Sequence, residues 1–384
     1  MTELRDLDAT VTTDSIELRS LRLNALNTRV KMAGGISNIR QFLTSRTAAP
    51  LNIGLDVVID TIELNRLAAA YEHGQVVTKG PSAAILYPKE HYFTPEDTIA
   101  FLLPRNINAR LRARAQESRY TNLYLYDLGA DVSLKDGKVS ADGVKARAAF
   151  GHLNLDYYFD TSDIEELQMG LNAALEDVDV VEFFSKFHTL SLMIPGSHDI
   201  SGTLGIAAKA HFNAFPNMYL DFPSIWADVD VTGRNLSIDQ PHKYERWTKL
   251  LGLTTDSMLN LPRLDARLTV HDNLMEVYPF EFDLGKYRLM LAGLNNFAGD
   301  MYYHIGVLKS PLHLPFGINL KGSFSHPVLR FGGSGWKASN SIEVEKRVSD
   351  SLQVNMLLET TYFIKEMIHK AAMADSLSKT TYTF

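Results

Sequence analysis

The chain has 384 residues, of which 45% are hydrophobic and 22% are charged, with a formal net charge of -7 and no cysteine. This length and composition are typical of one large globular domain or of two to three ordinary ones, and they exclude a mainly disordered chain. The lack of cysteine excludes disulfides, cysteine-ligated zinc and thiol catalysis. The negative net charge argues against nucleic acid as a partner, because phosphate binding needs clustered Lys and Arg.

Residues 1–14 are polar and predict a loose amino terminus. Strand-like alternation begins at Ile16, and Ser37 to Leu43 predicts a short helix. The segment from Leu51 to Leu64 predicts a long strand, because its apolar residues alternate with polar ones. Residues 72–100 are rich in Gly and Pro and predict a long loop or a joint between subdomains.

Short alternating segments follow one another from residue 107 and predict a series of strands. The Asp136-Gly137 pair lies between two of them and predicts a tight hairpin turn. The predicted strands are Ile107 to Gln116, Asn122 to Leu128, Val132 to Leu134, Val139 to Val144, Ala146 to Phe150 and Leu153 to Phe159.

A cluster of arginines lies around the first of these strands and alternates with apolar residues. The pattern favours the solvated face of a strand over contacts with phosphates or lipid headgroups. The arginines are Arg105, Arg110, Arg112, Arg114 and Arg119.

A helical insert is predicted near residues 162–188. Ser162 and Glu165 have the spacing of a capping box, and apolar residues at helical intervals predict a helix from Ile164 to Leu175. A second short helix is predicted from Val180 to Phe187. Further strands are predicted at His188 to Met193, Gly202 to Phe212 and Ala227 to Val231, with a helix at Glu245 to Leu251.

The strongest alternation runs from Leu261 to Phe331 and predicts an antiparallel meander with one apolar face. Gly285-Lys286 predicts a hairpin turn within it. After it, Ile342 to Leu377 contains little Gly or Pro, and apolar spacing predicts a long helix from about Val348.

The phrases LPRLDARLTVHDNLMEVYPFEFDLGKYRLMLAGLNNFAGDMYYHIGVL and LPFGINLKGSFSHPVLRFG resemble the carboxy-terminal domain of AsmA-like proteins, relatives of the TamB group. The resemblance carries the order of the strands and turns, and no single residue in it is diagnostic. It implies a periplasmic protein that takes part in outer-membrane assembly or maintenance in Gram-negative bacteria. It also implies that the full-length protein is anchored in the inner membrane by a helix upstream of this chain.

Several groups of polar residues are candidates for chemical sites. Ser197, His198 and Asp199 are adjacent, so they favour a polar turn over a catalytic triad, which brings its members together from separate segments. The acidic pairs Asp228/Asp230 and Glu281/Asp283 have the spacing of solvated strand positions. Four histidines, His271, His304, His313 and His326, are predicted to be surface residues and not metal ligands. We therefore expect no catalytic residue, no metal and no cofactor.

The predicted strands carry more apolar surface than the few predicted helices can cover. Two sheets that pack face to face would bury it. The other arrangement is a sheet that curls into an open trough and binds a hydrophobic ligand such as a phospholipid. The predicted lining residues, which are equally compatible with an ordinary core, are Phe280, Phe282, Leu289, Leu291, Tyr303, Ile305, Ile318 and Leu320.

The sequence therefore predicts a mainly β protein. Its fold is a long curled antiparallel sheet, an open groove or half-barrel, with short helical inserts and a carboxy-terminal helix. The predicted regions are a loose segment 1–14, a β-rich region 15–219, an AsmA-like domain 220–335 and a helical tail 336–384. The predicted function is non-enzymatic binding or conduction of phospholipid acyl chains. The alternative is a scaffolding module that docks an envelope protein partner through sheet edges or the tail helix.

Overall fold

The computed structural model describes residues 2–25, 28–45, 49–63, 102–120, 123–186, 199–216, 218–238, 259–311, 315–323, 326–337 and 344–348. Strands account for 77% of these residues, and together they form one open sheet of 17 strands. The predicted mainly β class and the long open sheet are therefore confirmed, and the apolar side chains are not divided between two packed sheets.

The strands are long, and most of them have 10 to 15 residues. They are β1 (Thr2–Val11), β2 (Ser15–Ala25), β3 (Thr28–Ser37), β4 (Leu51–Glu63), β5 (Ile107–Tyr120), β6 (Leu123–Lys135), β7 (Lys138–Ala148), β8 (Gly151–Asp160), β9 (Leu167–Asp179), β10 (Ile200–Ala214), β11 (Leu220–Ile238), β12 (Leu259–His271), β13 (Leu274–Leu284), β14 (Tyr287–Asn296), β15 (Asp300–Lys309), β16 (Phe316–Ser323) and β17 (His326–Gly332).

Each strand pairs with the next one in the chain, so the sheet is a meander from β1 to β17. Fifteen of these sixteen pairs are antiparallel, and β4 with β5 is parallel. A parallel pair needs a connection that returns to the end where the first strand began, and here the chain between Glu63 and Ile107 provides it. The sheet also continues across the predicted boundary at residues 219–220, because β11 pairs with both β10 and β12.

The predicted hairpin at Asp136-Gly137 is confirmed. Both residues have positive φ, 52° and 78°, as the tight two-residue turns between antiparallel strands require. Gly285 has φ of 59° in the turn between β13 and β14, so the second predicted hairpin is also confirmed. Two pairs of predicted short strands prove to be single strands, β6 and β7, with bulges at Asp127 and Gly143.

Two helices lie among the described residues, α1 (Ile39–Thr44) and α2 (Val180–Lys186). They confirm the helices predicted at Ser37 to Leu43 and at Val180 to Phe187. The helix predicted at Ile164 to Leu175 is wrong, because residues from Leu167 onwards form β9.

The Ser162/Glu165 capping box is also wrong. The side chain of Asp160 accepts from the Ser162 amide at 2.9 Å, and that of Asp163 accepts from the Glu165 amide at 3.0 Å. Such side-chain bonds to the amide two residues ahead stabilise a turn instead of a helix.

Several predictions lie outside the described residues. They are the loop at 72–100, the strand at His188 to Met193, the helix at Glu245 to Leu251 and all of the long carboxy-terminal helix beyond Val348.

Candidate functional site

In most strands apolar and polar residues alternate. The side of the sheet that carries the apolar residues is here called the apolar face. The strand registers place Leu55, Leu111, Val132, Ala141 and Tyr157 in one row across β4 to β8. The same row continues through Leu171, Ala210, Ala227, Val270 and Met275 on β9 to β13. Alternation in each strand and the pairing register therefore produce one continuous apolar surface.

The middle of this surface is only partly covered. Leu55, Leu111, Val132, Tyr157 and Leu171 are half-buried, although their neighbours across the strands are also apolar. No second sheet lies over them among the described residues. A contiguous apolar surface that is left open in this way usually marks a binding site.

The two ends of the central strands are closed by apolar clusters. At one end, Phe183 and Phe184 of α2 pack with Phe150, Val178 and Leu236, and the rings of Phe150 and Phe183 meet edge to face with centroids 5.4 Å apart. At the other end, Phe159, Leu167, Met169, Ala214 and Met218 form a second cluster with Leu102 and Leu103. The open part of the apolar face therefore lies between these two clusters.

The sheet curls around the α2 cluster. Leu123 of β6 and Leu261 of β12 both pack against this cluster, although five strands lie between them. In a flat sheet, six strand spacings of about 4.8 Å would separate these strands by roughly 29 Å. Curling towards the apolar face makes it concave.

All eight side chains predicted to line the groove lie on the apolar face. Phe280, Leu291, Ile305 and Ile318 pair in one row, Phe282 pairs with Leu289, and Tyr303 pairs with Leu320. Leu289 and Ile318 are only 2% and 1% exposed, so these two are core residues. The other six are half-buried.

Tyr303 brings a polar group to this apolar surface. Its hydroxyl donates to Oδ1 of Asn295 at 2.8 Å, and Asn295 is itself buried. Burial raises the pKa of Tyr303 to about 12, because an apolar environment disfavours the phenolate. This bond gives the buried Tyr303 hydroxyl an acceptor within the protein.

The opposite side of the sheet, here called the polar face, is stabilised by charges on neighbouring strands. The guanidinium of Arg112 lies 3.6 Å from Asp56 of β4 and 3.8 Å from Asp131 of β6. Arg267 of β12 makes two hydrogen bonds with Asp228 of β11, at 3.0 and 2.7 Å. Opposite charges on adjacent strands favour the observed register over a one-residue slip.

The prediction of a solvated arginine face holds for three residues of the cluster. Arg110, Arg112 and Arg114 are exposed on the polar face of β5. Arg105 precedes the strand and donates to the Ser162 carbonyl, and Arg119 is half-buried near the other end of β5.

Residues 333–337 and 344–348, here called the strap, cover the polar face of β14 to β16. The Trp336 ring lies over Tyr302, with ring centroids 5.6 Å apart, and Val344 packs with Leu294 and Tyr302. The strap is fixed at one end by Lys346 with Asp272, at 2.7 Å, and by Arg347 with Asp300, at 2.5 Å. The strap therefore buries the polar face of this part of the sheet.

His304 lies under the strap, which corrects its predicted surface position. It is 3% exposed, its Nδ1 is 2.8 Å from Oδ1 of Asn319, and its Nε2 is 3.2 Å from the Ser334 carbonyl oxygen. The sequence does contain a signal for this. Apolar residues continue without alternation from Leu289 to Leu294, a pattern typical of a strand that is buried on both faces.

The remaining polar groups are not assembled into a site in the part of the chain that the structure describes. No group of three or more candidate metal ligands occurs there. His271 lies 3.6 Å from Asp272, and His326 lies on the exposed strand β17. Asp228 and Asp283 are in ion pairs with arginines, whereas His313, Ser197 and His198 lie outside the described residues.

No helix among the described residues is long and apolar enough to cross a membrane. The chain matches no protein-family model, and neither a curated protein nor a solved structure matches it.

Proposed function

We propose that this protein is a non-enzymatic lipid-binding protein of the cell envelope, whose concave apolar face binds or conducts the acyl chains of phospholipids. The observation that carries the proposal is the continuous and mostly half-buried row from Leu55 to Met275. Acyl chains suit such a surface because each buried methylene contributes about 0.8 kcal/mol without any directed contact.

The resemblance to AsmA-like proteins supports the cellular setting of the proposal. Its phrases correspond to β12 to β17, in which eight apolar side chains share one face. On this basis the protein acts in the periplasm, is anchored in the inner membrane as part of its full-length chain, and contributes to outer-membrane maintenance.

In the proposed mechanism, acyl chains lie against the apolar face and headgroups stay in water at the rims. Leu55, Leu111 and Val132 contact the chains, because they are accessible, whereas Leu289 and Ile318 support the sheet from its core. An acyl chain moves along the apolar face by exchanging one set of apolar contacts for an equivalent set. No covalent bond is made or broken in this process.

The test is an organic extract of the purified protein, analysed by mass spectrometry, together with titration by a fluorescent phospholipid. Leu111→Asp places a charge between Leu55 and Val132 and is expected to lower the bound lipid by at least tenfold. Leu111→Trp is the second variant, since it obstructs the face without adding charge. Val58→Asp is the matched control, because Val58 is 46% exposed on the polar face.

The proposal is wrong if wild-type protein carries no lipid and does not bind the probe. It is also wrong if Leu111→Asp and Val58→Asp, both shown to be folded by circular dichroism, bind lipid as the wild type does.

A further inference from the structure

The two edges of the sheet, β1 and β17, both expose apolar side chains on the apolar face. On β1, Leu7 and Val11 are 55% and 71% exposed, and on β17, Leu329 and Phe331 are 42% and 69% exposed. Among the described strands, β1 pairs only with β2 and β17 only with β16. An edge strand with free backbone groups and exposed apolar side chains is a template for pairing with another chain.

The two edge strands run in opposite directions, which suits antiparallel pairing between two copies. Following the pairings across the sheet, β1 ends at the same side of the sheet at which β17 begins. A second copy placed beside β17 in the same orientation therefore presents its β1 antiparallel to β17. The apolar faces of the two copies then lie on the same side.

The charges on the polar face are complementary as well. Arg330 of β17 is exposed and makes no ion pair with a described residue. On β1, Asp8 and Asp6 lie 3.2 and 3.9 Å from Arg19 and Arg22 of β2. A charged side chain of this sheet can interact with both neighbouring strands, as Arg112 does with Asp56 and Asp131. Asp6 and Asp8 can therefore interact with an arginine on a further strand as well.

Charge also discriminates between the ways in which two copies can meet. Pairing of β17 with β17 brings Arg330 of one copy towards Arg330 of the other. Pairing of β1 with β1 brings Asp6 and Asp8 of one copy towards the same carboxylates of the other. Like charges on adjacent strands are destabilising. Pairing of β17 with β1 places Arg330 next to the carboxylates, so it is the favoured arrangement.

We propose that copies of this chain associate head to tail, with β17 of one copy pairing antiparallel with β1 of the next. The contact uses two different surfaces, so it can repeat, and the apolar face continues from one copy into the next. The proposal rests on the edge strands alone and does not depend on lipid binding.

The absence of cysteine from the chain makes a direct test possible. Leu7→Cys and Leu329→Cys are prepared as separate proteins with tags of different size, and a short bismaleimide cross-links them alone and in a mixture. The expected result is a dimer that contains both tags, formed in the mixture at least tenfold more than by either protein alone. Val58→Cys replaces Leu7→Cys in the control mixture and is expected to give no dimer.

A charge reversal provides the second measurement, by sedimentation velocity. Arg330→Glu and Asp8→Lys are each expected to weaken self-association, by up to about fivefold for an exposed pair. Mixing the two variants restores association, because the carboxylate introduced on β17 of one variant then meets the ammonium introduced on β1 of the other. Both positions are exposed, so neither change removes a buried contact.

Three results would overturn the proposal. The first is a chain that remains monomeric at about 100 μM without cross-linking in the mixture. The second is equal cross-linking within each single-cysteine protein, which indicates symmetric pairing. The third is association that the two charge reversals leave unchanged.

Discussion

Gly34 on β3 lies so close to Gly54 on β4 that a methyl group on its Cα would overlap the Gly54 carbonyl oxygen. Its φ of +145° is also a conformation that other residues rarely adopt. Gly34→Ala is therefore expected to lower the free energy of unfolding by about 2–4 kcal/mol, measured in urea.

Gly54→Ala is the matched control, because nothing lies within 4 Å of the added methyl group. We expect a change within about 1 kcal/mol, favourable through the lower entropy of the unfolded chain. Equal losses in the two variants would show that the close approach of β3 and β4 is not what requires glycine.

The raised pKa of Tyr303 predicts that the free energy of unfolding falls at high pH. Its pKa is about 12 in the folded protein, through burial, against an ordinary value of 10.0. The unfolded chain therefore loses this proton first, so the stabilising contribution is complete below pH 10 and is lost as the pH rises towards 12. The difference of about two units corresponds to about 3 kcal/mol.

The measurement is urea denaturation at pH 9 and pH 11.5 for the wild type and Tyr303→Phe. The variant has no phenol to ionise at this position, so its stability should fall less over this interval. Tyr126→Phe is the control, since Tyr126 is exposed. Parallel pH profiles for the wild type and Tyr303→Phe would count against a raised pKa.

Asn319 predicts a large stability loss from one side chain. Its Oδ1 accepts from the Tyr302 hydroxyl at 2.9 Å and lies 2.8 Å from Nδ1 of His304. Tyr302 and His304 are 2% and 3% exposed, so Asn319→Leu leaves buried polar groups without this acceptor. We expect a loss of about 2–4 kcal/mol in chemical denaturation.

The exposed Asn172, which reaches Asp156 at 3.5 Å, provides the control, and Asn172→Leu is expected to cost less than about 0.5 kcal/mol. If Asn319→Leu is as stable as Asn172→Leu, the bonds under the strap contribute little.

Acid is expected to release the strap. The hydrogen bond from Lys346 lowers the pKa of Asp272, and hydrogen bonds from Asn296 and then Arg347 lower the pKa of Asp300. Because both pKa values are lower in the folded protein, these contributions are present above the ordinary value of 3.8 and are lost as the pH falls through the lowered values.

The readout is the fluorescence of Trp336, which packs over Tyr302, in a protein with Trp226 and Trp247 replaced by Phe. Its emission is expected to shift to longer wavelength as the pH falls below 3.8. Asp272→Asn should lose part of this dependence. An emission maximum that stays constant down to the pH of global unfolding would contradict the assignment.

Much of the sheet was predictable because alternation and turns are local signals. Asp136, Gly137 and Gly285 have φ above zero, so these turn residues indicate their hairpins correctly. The eight apolar residues of β13 to β16 fell on one face because alternation and register both have a period of two.

The helix predicted after Ser162 is wrong for a definable reason. Leu167, Leu171 and Leu175 recur every four residues, which fits a helix but is also twice the period of a strand. Met169 and Ala173 occupy the positions between them on the same face of β9. A leucine at every fourth position therefore fits the period of a helix and that of a strand alike.

The position of the open surface was less predictable than the sheet. The sequence predicts it on β13 to β16, where Leu289 and Ile318 are core residues. The accessible row lies on β4 to β9 as well, and its exposure depends on contacts between segments far apart in sequence. The sequence does not predict the strap for the same reason, since its Lys346 donates to Asp272, which is 74 residues away.

The single parallel pair divides the molecule. On one side of the β4–β5 seam lie four antiparallel strands, and on the other lie thirteen, and among the described strands the two parts pair only through β4 and β5. The seam is thus a natural point at which to split the polypeptide. Two separately expressed pieces, ending and beginning within 64–101, should recombine into one sheet, and their reassembly would report on the pairing of these two strands alone.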